Sequence, residues 1–331
     1  MRAAAVYASW CAVLPLLLAC GCLPALAAPP AAAPGAPAGA RAALQRVEVI
    51  DDAGVSVRLP APAQRIVSLS PHATELLFAA GAGAHVVAVS RYSDFPPAAR
   101  ALPQIGDSAY LDLERLAAMR PDLVVAWGSA LSERNLAALR RLGVPVFRSE
   151  PHTLDAIAHG VEQMALLAGT AAAGMRVAQA LRLRIAVLRA AHQAVAPLSV
   201  FVQVWAAPLM TINRSQAISD ALASCGASNV FAAQRLQVPT VDAEAVVAAD
   251  PAVIVATWER GQPAEADAAL AQWRRFPTLR AVAARHLLTL DADLIGRPGP
   301  RFIDATERLC RALDQVRAGL PLAEPGADVR P

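Results

Sequence analysis

The sequence predicts an α/β protein of two Rossmann-like lobes, each with a parallel central sheet, joined by one long rigid helix. Short apolar runs typical of buried strands alternate with helical segments along most of the chain, which favours parallel sheets covered by helices. One helix–proline–strand unit also occurs twice. With 331 residues, 56% hydrophobic and 17% charged, the chain is long enough for two cores.

Turn residues, prolines and glycines mark where the helices and strands of the first half begin and end. Two alternating apolar runs around the Asp/Gly turn at 51–54 predict a β-hairpin. Pro71 ends the next strand, Gly81 and Gly83 end the helix after it, and Pro121 separates a helix from a buried strand. The remaining expected elements are strands at 85–89, 123–127 and 144–147 and helices at 113–119, 132–141 and 154–167.

A long helix is expected between the two halves. Residues 170–192 contain no proline and only Gly174 interrupts them, which predicts a helix of about 23 residues, or ~35 Å. The strand–helix alternation resumes with a strand at 200–205. The predicted organisation is a signal peptide at 1–27, a flexible tether at 28–46, an N-terminal lobe at 47–168, a connecting helix at 169–196 and a C-terminal lobe at 197–320.

The second half repeats part of the first. Asp-Leu-Glu at 112–114 stands nine residues before Pro121, and Asp-Ala-Glu at 242–244 stands nine residues before Pro251. An apolar run and a tryptophan follow each proline. The offset is 130 residues in both elements (242 minus 112, 251 minus 121). A unit that recurs at one offset predicts two similar lobes.

The first residues are typical of an export signal. Arg2 precedes a short apolar run, and Ala25-Leu26-Ala27 is a cleavage site of small residues. A lipoprotein signal, with the lipid on Cys20, is the alternative. Either reading places the protein outside the cytoplasm, in the periplasm, with no membrane insertion after signal removal. In that compartment Cys225 and Cys310 are expected to form a disulfide, with two separate buried thiols as the alternative.

Composition and motifs exclude several function classes. The net charge of +3 is spread along the chain without a block of like charges, so no nucleic-acid partner is expected. The six histidines lack metal-ligand spacing, and no phosphate loop, dinucleotide fingerprint or nucleophile motif is present. The sequence therefore predicts no enzyme, metal or cofactor, and an exported metal-dependent hydrolase remains only a remote alternative.

Aromatic residues follow the predicted strands. Ligands of open α/β sheets bind beyond the carboxyl ends of the strands. Tyr92, Trp127, Trp205 and Trp258 all stand at such ends, so we expect them at the rim of a cleft between the lobes. Packing at the interface between lobes is the alternative role for each of them.

With these residues, the chain resembles the periplasmic binding proteins in which a rigid helix joins two lobes. Those proteins serve importers of corrinoids, haem and ferric siderophores. The resemblance covers about residues 47–317. It rests on the run Arg-Ile-Val-Ser-Leu-Ser-Pro at 65–71, on Thr74-Glu75 and on Pro-Asp-Leu-Val at 121–124.

Four further features of the sequence are similar specifically to the cobalamin-binding branch of that family. They are Ser-Arg-Tyr-Ser-Asp-Phe-Pro-Pro at 90–97, Ala126-Trp127, the loop from Asp293 to Arg301, and the segments around both cysteines. The resemblance implies a corrinoid such as cobalamin as the transported ligand, with no resident cofactor, and an ABC importer permease dimer as partner. The expected ligand residues are Tyr92, Trp127, Tyr110, Trp205, Asp293 and Arg297.

The resemblance also implies one permease-docking glutamate in each lobe. The expected pair is Glu133 and Glu244, while the internal repeat offers Glu114 as an alternative partner of Glu244. The chain departs from the family pattern at two tryptophan positions, near Ser108 and near Val238-Pro239, where Tyr110 is the candidate substitute for the first. Haem or a ferric siderophore therefore remains the alternative ligand.

Overall fold

The computed structural model describes residues 46–107, 110–258 and 263–320 together with residue 322. The predicted signal peptide at 1–27, Cys20, Ser108 and nearly all of the predicted tether at 28–46 lie outside these residues. Within the described ranges, none of the helices combines the length and the apolarity needed to cross a lipid bilayer.

The first lobe consists of an antiparallel hairpin and a parallel sheet in the order β4-β3-β5-β6. The hairpin is β1 (Val47–Ile50) and β2 (Ser56–Leu59), and the sheet strands are β3 (Ile66–Ser68), β4 (Val86–Val89), β5 (Leu123–Trp127) and β6 (Val146–Ser149). The helices are α1 (Pro71–Ala79), α2 (Leu113–Ala118), α3 (Glu133–Arg141) and α4 (Leu154–Ala168). Helix α5 (Ala171–His192) follows.

The second lobe has a second parallel sheet, in the order β10-β7-β11-β12, and a short antiparallel ribbon. Its strands are β7 (Leu198–Gln203), β8 (Trp205–Ala206), β9 (Leu209–Met210), β10 (Ala227–Asn229), β11 (Val253–Trp258) and β12 (Leu287–Asp291). Its helices are α6 (Ala217–Ser224), α7 (Ala243–Ala249), α8 (Pro263–Ala271), α9 (Arg280–Ala283), α10 (Ala292–Ile295) and α11 (Arg301–Arg317).

These two sheets and the helix between them confirm the predicted fold. Element bounds differ by a few residues. Helix α1 begins at Pro71 itself, because proline suits the first helical position, where its missing N–H would have no partner. Strand β6 lies two residues later than expected, at Val146–Ser149.

The repeated sequence unit has a repeated structure. Asp112 Oδ1 accepts a hydrogen bond of 2.9 Å from the amide of Arg115 at the start of α2, and Asp242 Oδ1 accepts one of 2.7 Å from the amide of Ala245 at the start of α7. Such caps satisfy amides that the first helical turn leaves unpaired. The strands that follow, β5 and β11, each occupy the third position of their sheet.

Helix α5 packs closely along α4. A Cβ atom at Gly174 would lie 2.2 Å from the Cβ of Ala165, so only glycine allows this approach of the two helices. Glycine lowers helix propensity, and here close packing compensates for that cost. Gly174, which interrupts the helical pattern of the sequence, is therefore the residue at which α5 contacts α4.

Helix α5 is tied to both lobes by ion pairs. Arg189 lies between two carboxylates, 2.6 Å from Asp155 in α4 and 3.3 Å from Asp220 in α6. Arg184 binds Asp304 and Glu307 of α11 at 2.6 Å and 2.7 Å. The helix is thus braced from both sides as well as being the covalent link.

The apolar core is continuous through this region. One cluster of buried residues extends from the first lobe through Ala178, Leu181 and Ile185 of α5 into the second lobe. Each sheet covers its other face with a smaller cluster of its own. The disulfide between Cys225 and Cys310, with Cα atoms 4.9 Å apart, joins the end of α6 to α11 within the second lobe and confirms the expected pairing.

Candidate functional site

Three cavities lie at the carboxyl ends of the two sheets. The first-lobe cavity, about 520 Å³, is lined by residues that follow β3 and β4 and by the end of β5. The second-lobe cavity, about 510 Å³, is lined by residues that follow β7, by the end of β11 and by Ala292 after β12. Strand ends are where open α/β sheets bind ligands.

The central cavity lies between the other two and shares lining residues with each of them. It measures about 260 Å³ and takes residues from both lobes, among them His152 from the first and Phe302 from the second. Trp127 lines both the central and the first-lobe cavity, while Val204 lines both the central and the second-lobe cavity. The three cavities therefore form one cleft between the lobes.

Tyr92 projects from a strained loop on the first-lobe wall. Its φ of 65° lies in the left-handed region, which costs a non-glycine residue of the order of 1 kcal/mol or more. Its side chain is 64% exposed and lines the first-lobe cavity. Buried hydroxyl groups hold the loop: Ser93 Oγ lies 3.1 Å from both Thr74 Oγ1 and Ser90 Oγ. Packing below the loop thus fixes an exposed aromatic ring.

Trp127 is the last residue of β5 and is partly buried. Its ring meets the imidazole of His72 edge to face, with centroids 4.7 Å apart and planes at 75°. His72 belongs to α1, is fully buried, and places Nε2 3.2 Å from Ser149 Oγ. Burial lowers the pKa of His72 to about 4, although hydrogen bonding with Ser149 opposes the shift. A neutral imidazole therefore lies behind the tryptophan.

The second-lobe wall carries Trp205 and Trp258. Trp205 is 57% exposed, and its indole Nε1 donates a hydrogen bond of 3.0 Å to the carbonyl of Ala207. Trp258 ends β11 and is buried at 9% exposure. Alanines form much of the remaining lining: Ala206, Ala207, Ala268, Ala269 and Ala292. The two walls thus carry two aromatic residues each, around cavities of nearly equal volume.

Tyr110 lies outside the lining of these three cavities. Its side chain is 69% exposed, and its backbone pairs with Asp107, whose amide donates a hydrogen bond of 2.7 Å to the Tyr110 carbonyl. Val238, near which a family tryptophan was expected, lines the central cavity instead.

Arg297 is engaged with carboxylates of both lobes. Its Nη1 lies 2.7 Å from Asp94 Oδ1 in the first lobe, and its Nη2 pairs with Asp293 at the start of α10. Burial would raise the pKa of Asp94, but the hydrogen bond and charge of Arg297 outweigh it and lower the pKa. For Asp293 burial dominates and raises the pKa. Both expected ligand residues, Asp293 and Arg297, thus belong to an ion-pair network that crosses between the lobes.

A second ion pair crosses between the lobes beside the first. Arg301 Nε donates a hydrogen bond of 3.0 Å to Glu75 Oε2, and Nη2 binds the other carboxylate oxygen. The Glu75 side chain is only 2% exposed, and its burial raises its pKa despite Arg301. The Arg301 guanidinium also lies 4.0 Å from the centroid of the Phe95 ring. Glu75 in α1 is thereby joined to the first turn of α11.

Sequence reasoning missed the roles of His72 and Glu75. The His72 side chain is buried behind Trp127. Glu75 stands among apolar residues of a helix, and a lone charge in such a run is a signal for a buried pair. Among the residues that the structure describes, no group of three or more His, Cys, Asp or Glu side chains could hold a metal ion.

Comparison with known proteins decides the family. The model of the periplasmic binding protein family matches residues 66–294. This chain belongs to that family. The match runs through both sheets and through α5, so it includes every lining residue of the first-lobe and second-lobe cavities of this periplasmic binding protein.

Several relatives of this periplasmic binding protein are named for their ligands. A vitamin B12-binding protein of Vibrio cholerae serotype O1 is 35% identical over 255 residues, which is 77% of this chain and 90% of the relative. A vitamin B12-binding protein of Photorhabdus laumondii is 35% identical over 250 residues, 76% of this chain and 88% of the relative.

Solved structures show the same relationship. The periplasmic vitamin B12 binding protein BtuF of Vibrio cholerae has 34% identity and a TM-score of 0.71, with 77% of this chain and 98% of that chain covered. The periplasmic heme-binding protein RhuT of Roseiflexus sp. RS-1 has 27% identity and a TM-score of 0.68, with 77% and 99% covered.

Proposed function

We propose that this chain is the periplasmic substrate-binding component of an ABC importer and captures a corrinoid, cobalamin, in the cleft between its lobes. The observation that carries the proposal is the aromatic lining on both sides of one cleft, Tyr92 and Trp127 on one wall and Trp205 and Trp258 on the other. A corrin is broad, flat and partly apolar, so aromatic walls can bury its faces. The B12-binding relatives support this ligand.

Binding is non-covalent and leaves the ligand chemically unchanged. Asp293 and Arg297 follow the lining residues Ala292 and Gly296, and with Asp94 they supply charged groups beside the cleft, suited to hydrogen bonds with the amides at the rim of a corrin. Such bonds require the Asp94–Arg297 pair to share or exchange partners on binding. Haem is the second candidate ligand, because the heme-binding RhuT has the same fold at 27% identity.

Calorimetric titration of the purified exported protein tests the ligand. Cyanocobalamin and cobinamide should each bind one to one, and haemin should bind more weakly than either. A folded protein that binds haemin but neither corrinoid would transfer the assignment to haem. Absence of binding to all three would contradict the proposal.

Replacing Trp127 with alanine should weaken cobalamin binding by about 1–3 kcal/mol, roughly 5- to 150-fold, because it removes a buried aromatic contact from two cavities. Phe276→Ala is the matched control, since Phe276 packs on Trp273 in the second-lobe core. Calorimetric titration with cobalamin, at equal folded fraction of the two variants, compares their affinities. Equal affinities would remove Trp127 from the ligand site.

The proposal for permease docking is one exposed glutamate from each lobe. Glu114 and Glu244 both stand in the first turn of a helix capped by an aspartate, in the two copies of the repeated unit. Glu133 is likewise exposed in the first turn of α3, but its helix is capped by Ser132 and is not part of that unit. The matched caps favour Glu114 over Glu133 as the partner of Glu244.

Two charge-reversal variants distinguish between the candidate docking pairs Glu114/Glu244 and Glu133/Glu244. The Glu114→Arg/Glu244→Arg variant should bind cobalamin normally and abolish uptake of labelled cobalamin by cells that carry the cognate permease. The Glu133→Arg/Glu244→Arg variant should retain more uptake, through Glu114. The reverse order would assign docking to Glu133, and normal uptake by both variants would contradict electrostatic docking.

A further inference from the structure

His72 lies directly behind the tryptophan that separates the first-lobe and central cavities. It is fully buried in α1 and lines neither of these cavities. Its ring meets Trp127 edge to face at 4.7 Å, and Nε2 reaches Ser149 on β6. Ser149 is itself the residue paired with Trp127 in the sheet register. Helix, strand and neighbouring strand therefore converge on one indole ring.

The imidazole is not the side chain that core stability alone would favour here. Nδ1 has no hydrogen-bond partner and is buried, and an unpaired buried polar atom is unfavourable. A leucine or phenylalanine would avoid that cost. His72 also does not cap α1, whose N-cap position is Ser70. What the imidazole does contribute is the edge-to-face contact with Trp127 and the hydrogen bond with Ser149.

The two walls hold their tryptophans in different ways. Trp205 is oriented by its own indole hydrogen bond to Ala207. Trp127 is backed by the His72 ring, which Ser149 orients in turn. Removing the ring would leave space behind Trp127 and allow the indole to turn away from the cleft. Packing against His72 thus controls how the Trp127 ring faces the cleft.

We propose that His72 is a positioning residue that fixes the orientation of Trp127 towards the cleft and so sets the affinity for the ligand. The inference rests on the proposed function only for the identity of that ligand. The orientation of Trp127 belongs to the protein itself and can be measured without ligand.

The test uses protein labelled with 5-fluorotryptophan and ¹⁹F NMR, with the Trp127 resonance assigned from Trp127→Phe. His72→Leu should shift and broaden that resonance in free protein and weaken cyanocobalamin binding about tenfold. His72→Phe should restore one sharp resonance and most of the affinity, because it returns a ring to the same place. His192→Leu is the matched control, since His192 is also a buried histidine but bonds Asp314 far along the chain from Trp127.

An unmoved Trp127 resonance with unchanged affinity in His72→Leu would overturn the proposal, as would an equal change in His192→Leu. If His72→Leu does not fold, Ser149→Ala provides the gentler test by removing only the bond that orients the imidazole. It should broaden the Trp127 resonance and weaken binding two- to threefold, and an unchanged resonance and affinity would overturn the proposal. Failure of wild-type protein to bind any corrinoid would refute the proposed function and leave the resonance test intact.

Discussion

Replacing Arg301 with methionine should lower the free energy of unfolding by about 3–5 kcal/mol, because it leaves Glu75 buried without its partner. Glu75 is 2% exposed and its pKa is already raised, so its charge depends on Arg301 more than on solvent. Equilibrium urea denaturation at pH 7 measures the effect. Arg58→Met is the matched control: Arg58 and Glu48 form an exposed pair, whose loss should cost less than about 1 kcal/mol.

The pH dependence gives this prediction a second readout. Without Arg301, the pKa of Glu75 in the folded state rises further above its value in the unfolded state. At pH values between these two pKa values the folded protein binds a proton that the unfolded chain does not, so the loss of stability should shrink as the pH falls. The double variant Glu75→Met/Arg301→Met should recover most of the stability. Equal stability of Arg301→Met and wild type would show that the pair contributes nothing.

Titration of His72 should lower the stability of the wild-type protein by about 3 kcal/mol between pH 6.5 and pH 4. Its pKa is about 4 in the folded state, against an ordinary value of 6.5. Between these values the unfolded chain binds a proton that the folded protein does not, so stability falls as the pH falls. His72→Phe has no such proton to bind.

Urea denaturation of wild type and His72→Phe at several pH values isolates this contribution, since all other groups titrate in both proteins. The variant should gain about 3 kcal/mol relative to wild type as the pH goes from 7 to 4, with most of the change below pH 6.5. Parallel curves for the two proteins would mean that the imidazole is accessible to protons in the folded state.

The ion pairs of Glu75 and Asp94 could not be predicted from the sequence. The Glu75–Arg301 and Asp94–Arg297 pairs join positions 226 and 203 residues apart. Local pattern carries no information about such distances, because whether a charge is buried or paired depends on which elements meet. Asp293 and Arg297 remain predicted ligand residues, and the fold adds that they belong to an ion-pair network between the lobes.

What the sequence by itself determined is the architecture. Strand–helix alternation, the unit repeated at 130 residues and the proline-free run at 170–192 specify two parallel sheets and the helix between them, because backbone periodicity and capping are local properties. The predicted export signal indicated an oxidising compartment, and from that compartment the disulfide between Cys225 and Cys310 was predicted. Only the tertiary structure decided that α5 is braced by both lobes, that Tyr92 is held strained above buried hydroxyls, and that His72 backs Trp127. Each of these depends on side chains that the chain brings together only when its two sheets have packed.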